Sequence, residues 1–542
     1  MSRVAGLPRR QWEDSVSDGD IRALTDLLRT PAGVETLRKM QAVGLLEASQ
    51  CGGLFAMIEV GGGKTHLSAL IPTVLEAKRP LLLVPGSKKA DTRDWIDRLR
   101  QHWQILSFIR VESYNKLSDP NHADLLERFL PDLIILDEAH LVKSVATSAR
   151  ARRLARFFAS HPECKCCAMS GSFGAELTDY AHILDWCLRD QSPVPRIRVE
   201  QSQWAKALGS EECDYEDLER LESGLGVQII SQDQARIAFR ERLISTPGVL
   251  VSMSGFEGSE LVVRPRYLEP DPKVDPLFED LRNLWEAPDG WLLADAQFEV
   301  WATARKMQLG FYHRHDPRPP EDWYDARRAY CGFVRSMIQM SDIYDTEKQI
   351  RTAFEDGHIK SRVWDEWVEI QPTFEPNTVT DWLSSNGLEF CLDWGERHGG
   401  IIWCEFTEFA KVLAEISGWK YFGSHGLCSK TGEFIETSKD RTIIASVNAN
   451  FTGRNLQTWH SNLIVAPHPS QEMWEQLMGR THRSGQKAKR VTVDYLVSGY
   501  ESFAAIFKAI ERSRRTIYEQ NKLLTCDVQT PRLKFSGPAW VP

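Results

Sequence analysis

The chain has 542 residues, 42% of them hydrophobic, with 66 basic against 75 acidic side chains and a net charge of −9. That length exceeds a single hydrophobic core and calls for about three folding units. The balance excludes a surface coated all over in positive charge, though one basic cleft for nucleic acid fits within it, and no stretch approaches the roughly 20 apolar residues that cross a bilayer.

The N-terminus carries two arginines with no apolar core behind them, unlike a secretory signal. Eleven cysteines without regular spacing suit reduced thiols in a cytoplasm. Residues 1–36 read as a helical lead-in. Between Gly52 and Ser172, short apolar runs (GGLFAMIEV, PLLLVPG, PDLIILDEAH, CKCCAMSGS) alternate with amphipathic stretches. Runs of four to eight apolar residues bounded by Gly or Pro fit buried parallel strands, so residues 37–190 are predicted to form an α/β lobe. Residues 191–398 are rich in tryptophan (Trp285, Trp291, Trp301, Trp323, Trp364, Trp367, Trp382, Trp394) and broken by Pro-rich links. They are predicted to form a mainly helical insert, with most of these tryptophans in its core. The alternation resumes over 399–500 with GGIIWCEF, RTIIASV, SNLIVAP and RVTVDYLV, which gives a second α/β lobe. Residues 501–542 open as an amphipathic helix, whose Arg512, Arg514 and Arg515 read as a solvated face.

Three segments carry chemistry. The first, Glu59-Val60-Gly61-Gly62-Gly63-Lys64-Thr65, follows an apolar run and opens a helical stretch. Glycines there let backbone N–H groups converge on phosphate at the positive end of a helix. Lys64 reaches the terminal phosphates in such a loop, and the Thr65 hydroxyl ligates Mg²⁺. The usual pattern has Gly or Ala six residues before Lys64, where this chain has Ile58. The second segment, Leu133-Ile134-Ile135-Leu136-Asp137-Glu138-Ala139-His140, sets two carboxylates at the C-terminal end of a buried strand, where α/β folds bind ligands. Asp137 suits a hard cation, and Glu138 suits orienting or deprotonating a water. In the third, Gln476 to Gln486, Arg480 and Arg483 lie three apart on one helix face, with Gln476 a turn before them. Arginine of this kind neutralises charge on a transferring phosphoryl group. Cys164, Cys166 and Cys167 with His161 lack the spacing of a zinc site and read as structural thiols.

In order, these segments resemble superfamily-two helicases and, more narrowly, their SWI/SNF-type translocase branch. Leu37 to Gln41 resembles the opening motif, whose Gln41 contacts adenine in that family. Glu112-Ser113-Tyr114 resembles an element that touches a strand backbone, and Ser170-Gly171-Ser172 the motif that couples hydrolysis to movement, a role the resemblance also gives His140. Ser446 to Leu456 (SVNANFTGRNL) resembles a glycine-rich element, placing Gly453 near ATP and Ser446 and Asn455 near the strand, although several glycines are lost. His468-Pro469-Ser470-Gln471 and QLMGRTHRSGQ resemble the last two motifs. The resemblance covers about 37–190 and 399–498, in a compact form similar to bacterial or bacteriophage members. It implies two RecA-like lobes sharing one ATP with Mg²⁺ and hydrolysing it to move along duplex or branched DNA. A monomer in the cytoplasm of a bacterial cell or phage-infected host is expected, with replication or recombination proteins as further partners. An RNA-directed DEAH-type helicase and an ATP-switched clamp are the alternatives.

Overall fold

The structure, a computed structural model, describes residues 3–10, 16–58, 62–146, 148–209, 213–251, 258–269, 271–293, 299–341, 343–451, 453–483 and 485–515. Its architecture is α/β, with two parallel six-stranded sheets flanked by helices, as in RecA-like lobes.

The apolar runs become strands. In the first sheet these are β1 (Leu54–Met57), β2 (Pro80–Val84), β3 (Arg110–Ser113), β4 (Leu133–Asp137), β5 (Lys165–Ser170) and β6 (Val249–Val251), in the order β3-β2-β4-β5-β1-β6. All pairings are parallel. Phe55, Leu81, Leu83, Ile134 and Leu136 pack on one face of this sheet. Leu54, Leu82, Val84, Leu133 and Ile135 pack on the other. Burial on both faces is why the interior strands read as unbroken apolar runs. Strand β5 threads between β1 and β4, so its C-terminal end lies between the phosphate loop and the acidic pair.

The second sheet contains β7 (Glu260–Tyr267), β10 (Gly400–Cys404), β11 (Tyr421–Phe422), β12 (Thr442–Ser446), β13 (Ser461–Ile464) and β14 (Arg490–Val497), in the order β11-β12-β10-β13-β14-β7. Two further strands, β8 (Phe311–His315) and β9 (Thr378–Trp382), form an antiparallel pair. On β14 the fully buried Asp494 faces Arg264 of β7 in register. It also pairs with Arg266 at 3.0 Å and accepts from the Trp394 indole at 2.8 Å. Buried carboxylates persist only when paired and hydrogen-bonded in this way.

The chain divides into two compact units, and the division differs from the predicted boundaries. The first unit takes in Met1–Gly255 and Met337–Ala353, and the second Phe256–Ser336 and Phe354–Arg514. Residues 191–398 are therefore shared between the units rather than forming one insert: β6 pairs with β1, and β7 pairs with β14. Of the eight tryptophans only Trp323, Trp367 and Trp394 are buried, fewer than the predicted majority. Trp323 and Trp367 are buried with ring centroids 5.4 Å apart, Tyr330 stacks on Trp367 at 5.5 Å, and Trp364 lies flat on Phe354 at 4.6 Å. Trp285 and Trp382 are partly exposed. Among the described residues no helix is long and apolar enough to cross a membrane.

Candidate nucleotide site and the motif residues around it

In the first unit, the C-terminal ends of β1, β4 and β5 bring the predicted phosphate-site residues together. The chain leaves β1 and enters the helix Lys64–Val74 through Gly63, which caps it with φ +95°. Only glycine takes that conformation without strain. A Cβ on Gly63 would stand 2.6 Å from Gln41 Nε2, so the predicted adenine-contact residue abuts the loop. Gln41 is itself buried, and its Oε1 accepts from the Arg38 amide at 2.9 Å. Gly62 is half-buried beside Gly63, and Thr65 occupies the first turn of the helix. Gly61 lies outside the described residues.

Lys64 is buried, and its ammonium lies 3.5 Å from Glu138 Oε1. A second lysine, Lys88, approaches the same oxygen at 3.1 Å and Asp137 Oδ2 at 3.8 Å. Burial pushes the Asp137 carboxyl above its usual range. Burial acts on Glu138 in the same sense, but Lys64 and then Lys88 outweigh it and hold Glu138 well below the usual carboxylate range. Glu138 Oε2 is buried and has no hydrogen-bond partner. The residue also sits in the left-handed region at φ +56°, an uncommon place for a non-glycine side chain and one that clusters at functional sites.

The motif at the end of β5 meets this cluster. His140 Nδ1 lies 2.9 Å from Ser170 Oγ and 3.7 Å from Glu138 Oε2. Ser170 Oγ in turn donates to the Ser172 carbonyl. A Cβ on Gly171 would stand 3.7 Å from the Ile58 carbonyl and 4.0 Å from the Lys64 ammonium. Of the predicted coupling residues, His140 therefore links Ser170 to Glu138, and the intervening Gly171 lies beside Lys64.

At the end of β3, Ser113 caps a short helix, its hydroxyl accepting from the Lys116 amide. Tyr114 is fully buried, and its hydroxyl donates to the Asp137 carbonyl at 2.9 Å. Its ring thus buttresses the acidic strand, and at 0% exposure the residue offers no surface for the strand contact predicted of it. Next to it Glu112 meets three bases, Lys89 at 2.6 Å, Lys116 at 3.0 Å and Arg110 at 3.3 Å. Burial raises the Glu112 carboxyl, but Lys89 and Lys116 prevail and hold it at about 2. A folded value below the ordinary carboxylate value of about 4.3 means that the stabilisation is present above that pH. It is lost as pH falls through about 2. Glu112→Gln should therefore lower the melting temperature clearly at pH 7 and progressively less toward pH 3, as thermal unfolding at a series of pH values would register.

In the second unit, Gln476 and Arg480 lie on the helix Gln471–Thr481, capped by Ser470. Arg480 is buried and donates to the Gln476 carbonyl at 2.8 Å, to Gln476 Oε1, and to the Arg454 carbonyl at 3.2 Å. Arg483 donates to the same Arg454 carbonyl at 3.3 Å. Burial lowers the Arg483 guanidinium below its usual range, and its Nε has no hydrogen-bond partner. Gly453 has φ +77° next to Arg454. The glycine-rich element and the arginine motif, read apart in the sequence, therefore converge on one carbonyl. Ser446 ends β12 and is buried, its carbonyl accepting from Asn450 Nδ2 at 3.1 Å, while Asn455 is exposed. Gln486 bonds the Trp459 and Thr481 carbonyls at 3.1 and 3.0 Å and so pins the turn after the arginines.

Sequence reasoning missed Lys88, the Tyr114 buttress and the Arg454 carbonyl. The signal for Lys88 was present: a lysine three residues after Pro85, where a buried strand gives out. The chain matches no protein-family model, and no curated protein is significantly similar to it.

Proposed function

We propose that this protein is a nucleic-acid-stimulated ATPase, an ATP-dependent DNA translocase of superfamily two with a SWI/SNF-type core. The observation that carries the reading is the convergence of Gln41, Gly63, Lys64, Asp137 and Glu138 at the C-terminal edge of one parallel sheet. Residues up to 97 positions apart meet there, and the reading makes Gln41 the adenine contact, Lys64 the phosphate lysine and Glu138 the water-activating carboxylate. The order of the further motifs along the chain adds the SWI/SNF-type character.

In this reading the loop amides and Lys64 take the triphosphate, and Thr65 and Asp137 hold Mg²⁺. The donor set fits a hard cation, being a hydroxyl and a carboxylate oxygen beside a phosphate cradle. When bound, Mg²⁺ supplies positive charge to the transferring phosphoryl group. Glu138 Oε2, buried without a hydrogen-bond partner, is in this reading the oxygen that accepts the proton of the attacking water. The resemblance assigns Arg480 and Arg483 the neutralising of phosphoryl charge. Contacts to backbone phosphates carry no sequence information, so affinity should be insensitive to sequence and steeply dependent on salt.

Steady-state ATP hydrolysis with duplex, forked, four-way-junction and single-stranded DNA, and with RNA, tests this directly. Duplex or branched DNA should stimulate turnover most. Stimulation by RNA alone would transfer the protein to the RNA-directed class. Tight ATP binding without turnover would make it a switched clamp.

A further inference from the structure

We propose that Lys88 is a positioning residue that restrains Glu138 while nucleic acid is absent and releases it when a backbone phosphate takes its ammonium. The inference rests on the ATPase reading above and adds to it the means by which nucleic acid stimulates hydrolysis.

Glu138 Oε1 carries two ammonium groups, Lys88 at 3.1 Å and Lys64 at 3.5 Å. A buried carboxylate oxygen gripped by two ammonium groups is fixed in place and not free to turn toward a water. A triphosphate entering the loop draws Lys64 to itself. Lys88 stays on Glu138 and holds the carboxylate in place until a second anion arrives. The relative exposure of the three side chains is 2% for Glu138, 9% for Lys64 and 21% for Lys88. Lys88 is therefore the member that reaches solvent.

Its place in the fold indicates which anion reaches it. Lys88 ends the short 3₁₀ turn Gly86–Lys88 after β2, and β2 lies between β4, which ends in Asp137, and β3, which ends in Ser113. The next residue, Lys89, bonds Glu112 at 2.6 Å, immediately before Ser113. Two consecutive lysines thus face opposite ways, one to the acid of the hydrolytic site and one to the acid beside the strand-contact element. A phosphodiester arriving at the end of β3 presents a phosphate oxygen to Lys88, and an ammonium exchanges one oxyanion for another without rearranging its stem. By linkage, anything that weakens the Lys88–Glu138 pair strengthens phosphate binding at Lys88 by the same factor.

The test has a kinetic arm and a binding arm. In the first, Lys88→Met should raise DNA-free ATP turnover and cut the stimulation ratio by about tenfold, a typical coupling between linked sites. Lys88→Arg, which keeps the charge, should retain most of the stimulation ratio. In the second, nucleotide-free protein is titrated into a fluorescent duplex oligonucleotide over a range of salt. Glu138→Gln should bind more tightly than the wild type, with a log–log salt slope steeper by about 0.9, one extra phosphate contact. Adding Lys88→Met should remove that gain. An unchanged stimulation ratio in Lys88→Met overturns the proposal. So do an equal fall of basal and stimulated turnover, a raised ATP KM as the sole effect, and wild-type DNA affinity in Glu138→Gln. A wild type that hydrolyses no ATP with any nucleic acid sinks the ATPase reading itself.

Discussion

Glu138→Gln is expected to lower DNA-stimulated ATP turnover by roughly two to four orders of magnitude, the usual worth of a positioned general base, while leaving ATP binding in place. The substitution keeps the shape of a side chain that is 2% exposed and removes only its charge. Lys88 retains Asp137 within 3.8 Å and the charge of the buried Lys64 also acts on Asp137, so the fold should persist. The amide has no basicity to take a proton from water. Lys64→Ala should fail differently, losing affinity for the triphosphate along with turnover, since the ammonium addresses phosphate in both ground and transition states. Steady-state turnover together with equilibrium ATP binding separates the two variants. Undiminished turnover in Glu138→Gln would remove the residue from the chemistry and the ATPase reading with it.

Asp345→Ala should be the most destabilising single change outside the site. The Asp345 carboxylate is 1% exposed and accepts from Arg152 Nε at 3.0 Å, Arg153 Nε at 3.1 Å, and Arg156 at 3.0 and 2.6 Å. All three arginines project from the helix Ala149–Ser160. Arg153 also donates to the Leu117 and Asp119 carbonyls at 2.7 and 2.8 Å, which ties the turn after Tyr114 to the same node. Burial opposes the charge on Asp345, but the arginines prevail and hold its carboxyl below the usual range. Truncation leaves three cations crowded together, two of them buried. Breaking a buried pair in this way costs about 3–5 kcal/mol. For a unit of this size that corresponds to a fall in melting temperature on the order of 10 °C. Arg156→Ala should cost much less, since that side chain is 37% exposed and exposed pairs contribute about 0–1 kcal/mol. Thermal unfolding of both variants checks the ordering, and equal effects would refute a node centred on Asp345.

The interior strands were legible in the sequence, and the strands it missed sit at sheet edges. The runs called as strands became β1, β2, β4, β5, β10, β12, β13 and β14, all inside their sheets. The edge strands β3, β6, β7 and β11 went unread. β3 (Arg-Val-Glu-Ser) and β7 (Glu-Leu-Val-Val-Arg-Pro-Arg-Tyr) carry the charges, and in β7 the proline, that an edge tolerates. β6 and β11 are three and two residues long, too short to show a period. The predicted single insert over 191–398 failed for the same reason. Within it lie β6 and β7, and without them the sequence gives no sign that the stretch is divided between two units.

The candidate site divides along the same line. Side chains defined by local chemistry could be named from the chain alone: a glycine where φ must be positive, a lysine at a helix start, carboxylates where a buried strand ends. Partnerships between distant residues could not. Gln41 against Gly63, Tyr114 under Asp137, His140 on Ser170, Arg480 and Arg483 on the Arg454 carbonyl, and Lys88 on Glu138 are all set by strand order and burial. Sequence determined which groups are candidates for the chemistry, because residue type and local backbone geometry are properties of a few consecutive residues. Tertiary structure decided which of those groups hold one another, because hydrogen bonds and ion pairs act over a few ångströms and only the packed sheet brings their members that close.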